Sequence, residues 1–184
     1  MSEPLPSRKE ALRLLVQSGC SRQVVRHCEA VAALAVQMAE TCRKRGLKVN
    51  VQLVERGALL HDIGRSKTHT VDHVIEGAEV ARYLSLPRPI VAIIERHAGG
   101  GITRNEARRL GWPVKEYLPR TLEEKIVAYA DKLMEGSRRV NIQRTVEKLS
   151  RELGSRHQAI ERVRGLHEEL SPLVKGSSAS GHGA

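Results

Sequence analysis

Phenylalanine is absent from this 184-residue chain, and with three tyrosines and one tryptophan the aromatic share is only 2%. A core built from such a composition must rest on Leu, Val, Ile and Ala. The scarcity also leaves few rings on which bases can stack, which counts against a dedicated nucleic-acid binder. No apolar run reaches the roughly 18 residues of a membrane span. The N-terminal MSEPLPSRKE lacks the apolar stretch of a signal peptide. No membrane association and a cytoplasmic location are the expectations. The three cysteines, Cys20, Cys28 and Cys42, are scattered without a CxxC spacing, and read as reduced and structural. Strand-type alternation is not convincing anywhere. Long basic runs are missing too: the longest, Arg43 to Arg45, falls where a helix should end and complements its dipole.

What is present is charge and helix punctuation. Lys and Arg total 31 against 21 Asp and Glu, a net charge of +10 that favours anionic partners and lies mostly on the flanks of the chain. Ser7 with Glu10, Thr103 with Glu106 and Thr121 with Glu124 fit the capping box, and Gly19, Gly46, Gly64, Gly111 and Gly154 fall where helices should stop. Helices are predicted at 8–18, 22–45, 51–63, 71–85, 89–97, 104–110, 122–135, 142–153 and 156–170. The fold class is all-α, a single-domain helical bundle over residues 1–175, with GSSASGHGA at 176–184 expected to be a disordered tail.

The histidines and aspartates repay individual attention. His27 shares a helical face with Val24, Val31, Leu34 and Met38 and so points inward. A buried imidazole needs a partner, whether an ordinary hydrogen bond or a ligated ion. His61 and Asp62 follow the apolar VERGALL, with Gly64 marking the helix stop. An Asp there faces the negative end of the helix dipole, so something positive should compensate it. His73 begins one helix, His97 ends another, and Asp131 ends a third in KIVAYADKL. Each alone reads as a polar residue at a helix terminus. Together, five helices deliver His, His-Asp, His, His and Asp. Imidazole and carboxylate suit a divalent ion: Mn²⁺, Fe²⁺, Co²⁺, Ni²⁺, Zn²⁺ or Mg²⁺. One ion leaves some of these ligands idle, whereas two ions sharing a bridging carboxylate use all six.

On these residues the chain resembles the HD-domain superfamily of metal-dependent phosphohydrolases, in its branch with an H…HD…H…H…D pattern and an HDIG motif. The resemblance covers residues 21–133: HDIG at His61 to Gly64 followed by the basic Arg65, HVIEGAEVARYL from His73, IIERHAGGG around His97, and YADKL around Asp131. It implies a helical bundle with metal ligands from five helices, and the helices predicted within 141–170 then lie C-terminal to that core. It implies one ion held by His27, His61, Asp62 and Asp131, and a second held by Asp62, His73 and His97. The HxxxH spacing of His69 and His73 offers a competing pair, set aside because His69 falls in the preceding loop. His157, His167 and His182 match no signature and read as solvated. The GYP signature of cyclic-dinucleotide phosphodiesterases is missing after His97, where the chain has AGGGITRNE.

The function implied is hydrolysis of a nucleotide-like phosphoester or phosphoanhydride by a metal-bridging hydroxide, the ions also holding the phosphoryl oxygens. Asp62 bridges, Arg65 is a candidate phosphate clamp and Lys132 a candidate point charge, though both also read as solvent-facing. One alternative is a nucleotide- or RNA-binding regulatory module with a structural metal, motivated by the +10 charge and by Arg138, Arg139 and Arg144. Another is a di-iron oxygenase of the same superfamily. Nucleic acid is a possible partner but not the favoured one.

Overall fold

The computed structural model describes residues 4–174. The expected tail at 176–184, with His182, lies outside them. Among the described residues there are nine α-helices: α1 (Arg8–Gln17), α2 (Arg22–Lys44), α3 (Val51–Leu60), α4 (His73–Tyr83), α5 (Arg88–Arg96), α6 (Arg104–Arg109), α7 (Leu122–Lys132), α8 (Ile142–Leu153) and α9 (Gln158–Val174). The all-α class holds, and the starts are where the caps put them. Ser7, Ser21, Asn50, Thr103, Thr121 and Asn141 each accept a backbone N–H of the first turn. Two of the three capping boxes close. In the third, Glu124 turns its carboxylate to Arg96 at 2.7 Å and to the Arg120 N–H at 2.6 Å. A nearby guanidinium is the stronger partner for a buried acid.

The long α2 is the axis of the molecule. Val24, Cys28, Val31, Ala35, Met38 and Cys42 form one buried stripe at helical spacing. Against it pack α3, α7 and α9, and α5 closes the other side of α3 and α7. This core is almost wholly aliphatic, as the composition requires; Tyr129 is its one ring. A smaller cluster of Val74, Ala98, Ile102, Ala107, Trp112 and Tyr117 sits beside it. The segment GWPVKEYLPR, residues 111–120 between α6 and α7, therefore anchors itself with two buried rings, and Tyr117 pairs with Ile102 in an isolated bridge.

Three local features differ from the sequence reading. The chain after α7 is not helix to 135 but a two-residue hairpin, β1 (Met134–Glu135) and β2 (Arg138–Arg139), with Gly136 at φ +59° in its turn. Two paired residues per strand are too short to produce an alternating pattern. The helix after residue 158 continues past 170 to Val174 with Pro172 inside it. Finally, α3 ends at Leu60 and a 3₁₀ turn runs from Ile63 to Ser66. Gly64 lies in that turn, and its φ is not in the left-handed region that Gly19, Gly46, Gly111 and Gly154 occupy. Its need for glycine is steric. A Cβ there would lie 1.9 Å from the His73 carbonyl oxygen and 2.5 Å from the Gly77 nitrogen. The two glycines let the HD turn and α4 touch backbone to backbone.

Candidate metal centre

Two of the four imidazoles, His61 and His97, stand where the end of a helix leaves a carbonyl without an intrahelical partner. The last carbonyls of a helix have no intrahelical N–H to accept. His61 Nδ1 donates to Ala58 O at 2.7 Å and His97 Nδ1 to Ile94 O at 2.8 Å, both in the final turns of α3 and α5. His73 Nδ1 donates to Thr70 O at 2.7 Å in the turn before α4. His27 differs: its Nδ1 meets Gly136 O at 2.7 Å, from the hairpin turn far along the chain. With every Nδ1 spent on a carbonyl, every Nε2 is left facing the cluster, its lone pair free whenever the ring is neutral, and this is how ligating histidines are held.

The four Nε2 atoms converge on Asp62. Its Oδ2 lies 3.8 Å from His27 Nε2 and 3.7 Å from His61 Nε2, while its Oδ1 lies 3.2 Å from His73 Nε2 and 3.5 Å from His97 Nε2. Asp131 Oδ1 completes the first side at 3.1 Å from His27 Nε2 and 3.6 Å from His61 Nε2. Asp62, His61, His73 and His97 are buried. All six ligand candidates read from the sequence thus meet at one point. Two sets have donor atoms mutually within 4.8 Å: His27, His61 and Asp131, and His61, Asp62 and His97. His61 stands on the boundary between the two halves.

The donor chemistry fits divalent ions. His61 Nε2 and Asp62 Oδ1 are buried without a hydrogen-bond partner, a costly condition in a core. His73 Nε2 and His97 Nε2 lie 3.0 Å apart. Two lone pairs at that separation repel unless a proton or cation sits between them.

Charge around the cluster follows from burial and neighbours. Burial would raise the Asp62 carboxyl, yet His61, His73 and His97 hold it well below the usual carboxylate range. Asp131, whose burial also opposes ionisation, is held well below that range by Lys132 and by His27 and His61. Burial presses His61 down, but Asp62, Cys28 and Asp131 win and keep it well above its ordinary value. Positive charge is therefore favoured at the His61 position, whether a proton or an ion supplies it. His97 goes the other way, to about 4, because burial dominates and His61 and His73 add repulsion.

The cation expected to offset Asp62 is Arg65, whose Nε donates to Oδ2 at 2.7 Å. Lys132 Nζ donates to Asp131 Oδ2 at 2.6 Å. Both candidate phosphate contacts are thus paired with carboxylates among the ligand candidates. His69 is exposed, and only its carbonyl takes part, accepting from Arg65 Nη1 at 3.3 Å. Two of the histidines read as solvated are half-buried and hydrogen-bonded: His167 Nδ1 meets the Tyr129 hydroxyl at 2.7 Å, and His157 Nδ1 accepts the Ala159 N–H at 3.2 Å. Behind His73, the Trp112 indole N–H donates to Asp72 Oδ1 at 2.7 Å, fixing the residue that opens α4. The distant partners among these, Trp112 for Asp72 and Tyr129 for His167, have no local sequence signal, since packing brings them together from far along the chain.

Two clefts flank the centre and share His27, Arg65 and Gly136. The larger, about 320 Å³, runs under α8 past Asp131, Lys132, Glu135, Arg144 and Lys148. The smaller, about 260 Å³, opens beside Asp62 and His69.

Residues 24–135 match the profile of the HD domain. The chain belongs to the HD-domain family. A protein of Methanocaldococcus jannaschii is 46% identical over 167 residues, covering 91% of this chain and 98% of its own length. A tRNA (cytidine(56)-2'-O)-methyltransferase of Picrophilus torridus is 42% identical over 171 residues, 92% of this chain but 48% of the enzyme. This chain therefore spans about half the length of that relative. Among solved structures, the HD domain of the Listeria monocytogenes phosphodiesterase PgpH, in complex with cyclic-di-AMP, superposes with a TM-score of 0.52 at 22% identity. The match covers 89% of this chain and 96% of that one, and at that identity the likeness is one of fold. No helix among the described residues is long and apolar enough to cross a membrane.

Proposed function

We propose that this HD domain is a metal-dependent phosphohydrolase acting on a nucleotide-like phosphoester or phosphoanhydride. The observation that carries the reading is the division of Asp62: one oxygen faces His27 and His61, the other faces His73 and His97. A carboxylate so placed is built to serve two ions. His27, His61, Asp62 and Asp131 would hold the first, and Asp62, His73 and His97 the second. Ions bound there supply the charge that acidifies a water and steadies the phosphoryl oxygens.

The chain's own residues do the rest. The backbone carbonyls at Ala58, Thr70, Ile94 and Gly136 fix the four rings in the tautomer that ligates. Arg65 and Lys132 pair with the two carboxylates and stand at the rim of the larger cleft, from which either can reach an incoming phosphate. Support for a nucleotide-like substrate comes from the cyclic-di-AMP bound by the PgpH domain and from the tRNA named in the Picrophilus relative.

The experiment is a metal-loaded assay against p-nitrophenyl phosphate, bis(p-nitrophenyl) phosphate, mononucleotides and linear dinucleotides, with metal content measured alongside. Asp62→Asn keeps the shape of the side chain and removes its charge, so turnover is expected to vanish while the circular dichroism spectrum stays that of the wild type. Turnover at the wild-type rate in metal-replete buffer would overturn the assignment.

A further inference from the structure

Helix α8 is split lengthwise by chemistry. Ile142, Val146 and Leu149 are buried or partly buried on one face. Arg144, Lys148 and Arg151 are exposed on the opposite one, successive turns of the same stripe. Neighbours on such a stripe are about 5–6 Å apart. Arg144 and Lys148 line the larger cleft together with Lys132, which touches the ligand Asp131. A row of cations therefore begins at the candidate metal centre and runs outward along α8, and Arg138 and Arg139 stand exposed on the adjoining hairpin.

We propose that this row is the track of a single-stranded polynucleotide, whose sugar-phosphate backbone lies along α8 and presents one phosphate to the metal centre. The inference rests on the phosphohydrolase reading for its end point, and the stripe itself supplies the path. Regular spacing matches a regularly charged polymer better than a single small anion, which needs one clamp rather than three in a line. A duplex is a poor fit, because four of the six ligand candidates it would have to approach are buried. Trp112, Tyr117 and Tyr129 are buried, and the exposed Tyr83 stands away on α4. Helix α8 itself carries no ring, so the grip is one of charge. Such a grip tolerates any base sequence and weakens steeply with salt.

Glu135 is an acid interleaved with the row: its carboxylate meets Arg144 at 2.7 Å and Lys148 at 3.9 Å. An exposed pair of this kind contributes little stability and yields readily to a phosphate. In the free protein it keeps both side chains turned toward the cleft.

The test is fluorescence anisotropy of a labelled 12-nucleotide single-stranded RNA of mixed sequence, with the full chain, at 50 and 200 mM salt. Three neutralised phosphates imply an affinity drop of about 20-fold over that range for a single strand. R144Q/K148Q/R151Q is expected to remove most of this salt dependence and to bind at least tenfold more weakly at 50 mM. A control, R104Q/R108Q/R109Q, removes the same charge from the exposed arginines of α6 and is expected to bind as the wild type does. Equal losses in the two triple variants, or tighter binding of the matching 12-base-pair duplex, would overturn the track. Metal content per chain, measured on every variant, shows whether the centre is intact. Binding that follows the α8 stripe without turnover of any phosphoester would preserve the track and remove the hydrolase reading. Turnover of dinucleotides without RNA binding would do the reverse.

Discussion

At the scale of single residues, the ligand candidates were legible because their positions are awkward for anything else. A histidine or aspartate at the apolar end of a helix has a poor local explanation, and three such ends, joined by His27 inside α2 and His73 at the start of α4, make a pattern. The other half of the site was not legible. That Gly136 would supply the carbonyl for His27 depends on how separated segments pack, and the sequence does not say that Lys132 turns onto its neighbour Asp131. The partition of ligands has a graded consequence. His73→Ala and His97→Ala remove contacts to one oxygen of Asp62 only, and are expected to leave about one ion bound. His61→Ala and Asp131→Ala strip the half that anchors the bridge, and are expected to empty both positions. Melting temperature should follow occupancy, because an ion that binds only the folded state stabilises it by mass action. Metal content and melting temperature under identical loading provide the measurement. Wild-type values for the His73 and His97 variants would show that these residues are not ligands.

At the scale of elements, all nine helices could be read from caps, glycines and apolar spacing, because each of those signals is local. What failed was also local in extent but not in cause. The hairpin at 134–139 has two residues per strand, and its pairing is fixed by the docking of α2 and α7 around it. Gly64 was rightly marked as special for a reason that its own neighbourhood does not contain. The contact that forbids a side chain comes from His73 and Gly77, on the next helix. That contact sets the distance between the HD turn and α4, and hence between Asp62 and His73. The HD dipeptide and the H-x-x-x-G spacing are two sides of one backbone contact.

At the scale of the whole molecule, the buried cluster makes stability depend on pH in a way that metal should reverse. Consider the protein held in excess chelator. His97 has its pKa lowered from 6.5 to about 4, so the folded state binds fewer protons than the unfolded one, and stability is lost as pH falls from 6.5 toward 4. Asp62 and Asp131, both well below 3.8, add a further loss at lower pH still. His61 lies well above 6.5, so its contribution is fully present below that value and disappears as pH rises through the folded pKa. A melting temperature highest near neutrality and falling on both sides is therefore expected. A ligating imidazole must be neutral, so added metal should raise the alkaline limb most. A chelated protein whose melting temperature climbs steadily with pH would contradict the charge assigned to His61.

The chain contains a single tryptophan, and its indole is hydrogen-bonded one residue away from a candidate ligand of the second ion. Scarcity of aromatic residues thus becomes an optical advantage. All tryptophan emission comes from Trp112, packed edge-on to Tyr117 and tied to Asp72. Filling of the His73–His97 half should shift or quench that emission, while an ion confined to the His27–Asp131 half should leave it nearly unchanged. A stopped-flow metal titration read at this one chromophore would then separate the order of loading of the two halves, with no label added to the protein. Identical emission in chelated and fully loaded protein would mean that the Asp72 link does not sense the centre.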